Sequence, residues 1–303
     1  MPPTYRLVVP AVFNSNSFEY FLNQLPARTD FSQSNIIFDL GLVSSISPDI
    51  IGSLLVLHDY SIRLGAQVKM NFYDNHFLCM RFMQWGVFDH ISCSCDQTQE
   101  ELEKPEETSC DVFFKLHPIH SEDDIYKAIE FLRENLQLPQ EEFTDLIVVL
   151  SEISQNILEH STTQGYLHIA REYQRLRRKN LLHLCVVDSG VGMGQSLKER
   201  LRQYEFEHLD SFAIYKALYE GISRYDDPGR GNGIIKTRGI VKKYHGKMVI
   251  RSGCAKLWGD VPSWQIERFL RKDICYLPGT QVHITFPISA APIKSSHALI
   301  KKS

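Results

Sequence analysis

Two spacings of apolar residues take turns along the N-terminal third of the chain. Residues 5–9 and 35–40 carry short apolar runs of strand length. From residue 50 to 64 the spacing lengthens, and Ile50, Leu54, Leu57 and Ile62 fall where one face of a helix puts them. A strand over 67–72 follows the turn at Gly65, and a helix over 77–84 ends near Gly86. This alternation predicts a small α/β layer structure over residues 1–95. Residues 93–109, CSCDQTQEELEKPEETS, are polar, acidic and aperiodic, which predicts an acidic linker at 96–110.

Beyond the linker the periods return over residues 111–290, with 291–303 left as a tail. Ser121 followed by Glu122, Asp123 and Asp124 reads as a helix start, a capping hydroxyl with acids in the first turn. That helix runs to about Asn135, and a second spans about 141–160. Residues 166–173 and 181–187 read as a strand pair joined by a basic turn, with later strands at 247–252 and 281–286. Helices on one face of a mixed sheet are expected, an α/β sandwich.

Three short motifs in this second part fit together. EISQNILEH, residues 152–160, puts Glu152 and Asn156 one helical turn apart. DSGVGM, residues 188–193, follows the buried-strand run LLHLCVV, so Asp188 sits at a strand end with glycines after it. GRGNGI, residues 229–234, is a glycine-rich loop opening a helix, where unbonded backbone amides can hold phosphates. In this order they outline an adenine-nucleotide site.

The set resembles the GHKL superfamily of ATPases and histidine kinases, over roughly residues 111–288, and LPGTQVHITFP at 277–287 resembles that family's closing Gly-Thr strand. The resemblance implies ATP and Mg²⁺ as ligands. It makes Asn156 the Mg²⁺ ligand and Glu152 a general base acting on water or a substrate hydroxyl. It gives Asp188 the adenine amino group, Thr280 a place at the same edge, and Gly190, Gly192 and Met193 the backbone beside the base. It assigns the phosphates to Gly229, Arg230, Gly231, Asn232, Gly233 and Ile234. It makes residues 194–228 a nucleotide lid carrying the apolar stripe 211–219, which as ordinary sequence reads equally as core.

Residues 35–91 resemble a STAS domain, the fold of anti-sigma-factor antagonists. Where that family's switch loop has a hydroxyl acceptor, this chain reads Asp49-Ile50-Ile51-Gly52, so phosphorylation at Ile50 is chemically impossible. The implied role is docking or dimerisation. The Glu-x3-Asn spacing of Glu152 and Asn156 is closest to the anti-sigma-factor serine kinases.

Composition narrows the function. A net charge of −3 over 303 residues gives no pull toward nucleic acid or anionic membrane. No apolar run is long enough to span a bilayer, and the N-terminus lacks the pattern of a secretory signal. Seven irregularly spaced cysteines predict reduced thiols in a cytoplasmic protein, and Cys93 and Cys95 lack the second pair a zinc site needs. The basic stretch 171–179 reads as a solvated hairpin. The expectation is an ATP-binding regulatory protein, a Mg²⁺-dependent ATPase whose lid couples nucleotide state to a protein partner or a second copy. The alternatives are a serine/threonine kinase of the anti-sigma-factor type acting on a STAS partner, and a non-catalytic nucleotide-binding interaction module.

Overall fold

A computed structural model of the chain describes residues 2–27, 30–91, 110–160, 163–174, 177–225, 231–260, 270–271 and 274–289. The fold is mixed α/β, with both parallel and antiparallel sheets. Its N-terminal part runs β1 (Thr4–Val8), β2 (Val12–Phe13), α1 (Ser15–Leu22), β3 (Asn35–Asp39), β4 (Ser45–Ile46), α2 (Pro48–Arg63), β5 (Gln67–Asn71) and α3 (His76–Gln84). Strands β1, β3 and β5 form a three-stranded parallel sheet in that order, while β2 and β4 pair separately. Helix α1 has no counterpart in the expectations above. It is short and starts on Asn14, whose Oδ1 accepts the backbone N–H of Asn16 and Ser17 at 2.9 and 3.2 Å.

The second part runs β6 (Cys110–Ile119), α4 (Glu122–Asn135), α5 (Gln140–His160), β7 (Gly165–Gln174), β8 (Lys179–Asp188), α6 (Gly192–Leu201), α7 (Leu209–Glu220), α8 (Asn232–Lys243), β9 (Lys247–Gly253), β10 (Ala255–Asp260), β11 (Leu270–Arg271) and β12 (Leu277–Ile288). Its seven strands lie in the order β11-β10-β9-β12-β8-β7-β6. Every neighbouring pair is antiparallel, which corrects the expectation of a mixed sheet. The cause is the placement of β12. Strands β8 and β9, joined through α6, α7 and α8, run parallel to each other, but β12 inserts between them and pairs with both. The expected linker and tail lie largely outside the described residues.

One face of the large sheet packs against α4, α5, α7 and α8 in a single apolar cluster that includes Leu132, Leu150, Ile153, Leu184, Ile214, Val241 and Ile284. The other face is covered by the N-terminal part. Helix α2 touches β5 on one side and β7, β8 and β12 on the other. It is therefore buried nearly all round, with Ile50, Ile51, Leu54, Leu55, Val56 and Leu57 each at 1% exposure or less. Ile62, expected on its apolar face, is exposed instead. Ile50, the residue that the STAS resemblance would put at the acceptor position, is closed off from solvent as well as lacking a hydroxyl. Tyr166, Val187 and Leu277 of the large sheet belong to the same cluster as Phe38, Leu54 and Met70, so the apolar core crosses from one sheet to the other.

Much of this second face is polar. Glu19 of α1 is buried and receives Arg251 Nε at 3.2 Å, Arg251 Nη2 at 3.3 Å and Lys256 Nζ at 3.3 Å. Further along, His183 Nε2–H donates to Glu172 at 3.0 Å, which leaves Nδ1 to accept from His283 Nε2–H at 3.1 Å. His168 lies beside Trp85, with ring centroids 5.6 Å apart. Burial pushes His168 down to about 3 and His283 down to about 4. Of the described cysteines, Cys79 is disulfide-bonded, which corrects the expectation of seven reduced thiols, because irregular spacing carries no record of which side chains the fold brings together. Cys185, Cys254 and Cys275 are free. Among the described residues no helix is long and apolar enough to cross a membrane.

Two expectations follow. A Cβ on Gly52 would lie 2.8 Å from both γ-carbons of Val187. Alanine gains about 1 kcal/mol of helix propensity over glycine, but overpacking costs about 1–3 kcal/mol. Gly52→Ala is thus expected to lower stability by about 1 kcal/mol in urea unfolding, and Val187→Ala is expected to remove that penalty when the two are combined. The second concerns acid. His168 and His283 titrate lower folded than unfolded, so below about pH 6.5 the unfolded state takes up the protons. Their contribution is complete above pH 6.5 and is lost toward pH 4, at up to about 1.4 kcal/mol per pH unit for each ring. Unfolding free energies measured between pH 7.5 and 4 are expected to fall less steeply in the His168→Phe, His283→Gln double variant than in the wild type.

Candidate functional site

A cavity of about 400 Å³ opens between α5, α6, α7, α8 and the ends of β8 and β12. Its wall includes Glu152 and Asn156 from α5, Asp188 from the end of β8, Gly192 and Met193 from the start of α6, Gly231, Asn232, Gly233 and Ile234 from the start of α8, and Thr280 from β12. Helix α5 sets the first pair. Ile153 and Ile157 belong to the buried cluster and also line the cavity, with Glu152 and Asn156 beside them on the same wall. Asn156 Nδ2 donates to the Glu152 carbonyl at 2.8 Å, which leaves its amide oxygen to a ligand. A Cβ on Gly233 would lie 2.9 Å from Glu152 Cδ, so the carboxylate rests against the first turn of α8.

Asp188 is held from two loops. Its Oδ1 accepts Gly190 N–H at 2.7 Å and its Oδ2 accepts Thr280 N–H at 3.2 Å. Each carboxylate oxygen has a second lone pair, so the side chain can still accept hydrogens from a ligand. Gly190 does not line the cavity; it acts through Asp188. Gly279 has φ +76°, and a Cβ there would lie 2.8 Å from Asp188 Oδ1. Ser252 ties the same corner together, accepting Met193 N–H at 2.7 Å and donating to the Gly279 carbonyl at 3.2 Å. Gly229 and Arg230 lie outside the described residues.

The expected lid is largely built into the fold. Ala213, Ile214, Ala217 and Leu218 of α7 are buried, and Ile214 and Leu218 join the main cluster. Lys216 is buried too, paired with Glu220 at 2.6 Å and 4.1 Å above the Tyr204 ring. Arg238 of α8 donates to the Leu218 carbonyl at 2.9 Å, and Asp210 Oδ2 accepts Cys254 N–H at 2.8 Å. The stripe 211–219 is therefore core, because its apolar side faces the helices and sheet it packs on. The sequence reading missed the cavity cations Lys236 and Arg224. Lys236 stands one helical turn after Asn232, and that spacing was a usable signal.

The wall thus joins a strand-end carboxylate, a second carboxylate one turn from an amide, a helix N-terminus and two cations. That donor set suits an anionic ligand with an amino-bearing end. No protein-family model matches the chain, and comparison with curated proteins found no match either.

The corner around Asp188 has a direct test. Gly279→Ala places a side chain in the left-handed region and hard against the Asp188 carbonyl oxygen, a clash with backbone that cannot step aside, and is expected to destabilise by more than about 2 kcal/mol. Gly239→Ala, inside α8 with nothing within 4 Å of its Cβ, is expected to stabilise by up to about 1 kcal/mol. Urea denaturation of both variants checks the opposite signs.

Proposed function

We propose that this chain is an ATP-binding regulatory protein, a Mg²⁺-dependent ATPase of the GHKL type fused to a STAS-like N-terminal unit. The observation that carries the reading is the single cavity that gathers Glu152, Asn156, Asp188, Gly233 and Thr280 from separate elements. Its volume of about 400 Å³ lies in the range of small-molecule sites.

In this reading Asp188 accepts the exocyclic amino hydrogens of adenine, which guanine does not offer there. The backbone amides at the start of α8, with Lys236 and Arg224, hold the phosphates. Asn156 offers an amide oxygen, a hard ligand suited to Mg²⁺, and the ion supplies charge neutralisation on the phosphates when bound. Glu152 takes the proton from the attacking hydroxyl or water. Transfer to the N-terminal unit in cis is disfavoured, since Ile50 has no hydroxyl and is buried.

The test is calorimetric titration with Mg-ATP, followed by incubation with γ-labelled ATP and a count of free and protein-bound phosphate. Asp188→Asn puts amide hydrogens against Gly190 N–H or Thr280 N–H and is expected to weaken ATP binding about tenfold or more. Glu152→Gln is expected to bind ATP as the wild type does and to slow phosphate release by about 10²–10⁴-fold. Unchanged affinity in folded Asp188→Asn removes Asp188 from the site. Tight binding with neither free nor transferred phosphate makes the chain an interaction module.

A further inference from the structure

Helix α2 reaches the candidate site from behind the sheet. Strand β8 alternates its side chains between the two faces: Leu184, Val186 and Asp188 point to the cavity side, while Cys185 and Val187 meet α2. At the end of the strand, Arg63 Nη2 of α2 donates to the carbonyl of Ser189 at 3.0 Å. That carbonyl belongs to the same peptide unit as the Gly190 N–H, which donates to Asp188 Oδ1 at 2.7 Å. A peptide unit is planar, so fixing its oxygen fixes the direction of its N–H. A cationic donor on the oxygen also polarises the unit and strengthens the N–H as a donor. Arg63 therefore acts on Asp188 through a single rigid peptide. Nearby, Tyr166 O–H donates to Asp59 Oδ2 at 3.3 Å and braces the same end of α2 against β7.

We propose that Arg63 is a positioning residue for adenine recognition, and that through it the N-terminal unit and the nucleotide cavity are energetically coupled. The inference rests on the nucleotide-binding reading above. It gives that reading a regulatory route: whatever displaces the last turn of α2 loosens the Ser189–Gly190 peptide, and by reciprocity a bound adenine group holds α2 in place. The hydrogen bond of Arg63 reaches the Asp188 end of the cavity, at Ser189, rather than the start of α8 to which this reading assigns the phosphates.

The experiment is a titration of wild type, Arg63→Ala and Arg63→Lys with ATP and separately with adenosine, which has the base and no phosphates. Arg63→Ala is expected to weaken ATP and adenosine by the same factor, about tenfold, and Arg63→Lys to recover part of the loss, because an ammonium still donates to the carbonyl. Arg63 is exposed at a helix end, so the variants retain the core. Equal affinity in Arg63→Ala and wild type, or a loss confined to ATP, overturns the proposal while leaving the nucleotide reading intact. A wild type that binds neither ligand overturns both. Hydrogen exchange of the wild type supplies a second measurement: saturating ADP is expected to slow exchange in residues 59–65, and unchanged exchange there overturns the coupling.

Discussion

One helix serves two sheets, and the rest of the structure depends on that. Helix α2 lies between the parallel sheet and the large antiparallel sheet, with buried residues on nearly every side. A helix in that position cannot show the apolar stripe of a surface helix; it must be apolar all round, with small residues where a strand comes close. In α2 the stretch IIGSLLVL, residues 50–57, meets both needs, since nearly all of it is apolar and Gly52 stands where Val187 approaches. The two parts therefore share one core through α2, and a change on either face of the helix is felt by both sheets.

The polar groups around that core have a different role. Burying Glu19 with Arg251 and Lys256 sets desolvation of three charges against their mutual attraction, and such networks add little net stability compared with apolar packing. They do penalise any other arrangement strongly, because sliding α1 along the sheet would leave a buried charge unpaired. The paired histidines act in the same sense at neutral pH, since Glu172, His183 and His283 satisfy one another only in this register. Apolar contact supplies the affinity between the parts, and the polar groups select one orientation. That orientation brings Arg63 to Ser189.

Much of this was legible in the sequence, and what was not has a common cause. The elements with clear periods, β1, β3, α2, β5 and α3 in the first part and α4 and α5 in the second, fall close to where the spacing puts them, while β2, α1 and β4 were not foreseen. The cavity gathers most of the candidate residues, and within each motif local geometry alone fixes them to one another, as with Glu152 and Asn156 on α5 or Gly192 and Met193 at the start of α6. The run LLHLCVV was readable as a strand buried on both faces, but nothing in it states which element covers the second face. Of the two polar residues in that run, Cys185 meets the covering helix at the Pro48 carbonyl, 137 positions away, while His183 pairs with Glu172 of β7 and His283 of β12. The stripe 211–219 was ambiguous for the same reason, since a lid helix and a core helix have the same period. Ile214 and Leu218 decide it, because they pack into the cluster formed by α5, α8 and the large sheet, outside the segment itself.

The strand ends follow from these constraints. Strands β8, β9 and β12 are buried on both faces, so their alternate residues report to different neighbours. On one side Asp188 and Thr280 line the cavity and Ser252 braces them; on the other, Val187 and Arg251 face the N-terminal part and Gln281 bonds to Pro278 across the irregularity at the start of β12. Adjacent residues are one covalent step apart, and their backbone is shared. A site built at such strand ends cannot be mechanically independent of the layer behind the sheet. Moving Val187 or Arg251 moves the backbone that aims Asp188 and Ser252. A regulatory input to this cavity therefore needs no path through the helices on its own side; the shortest physical connection runs through the thickness of the sheet.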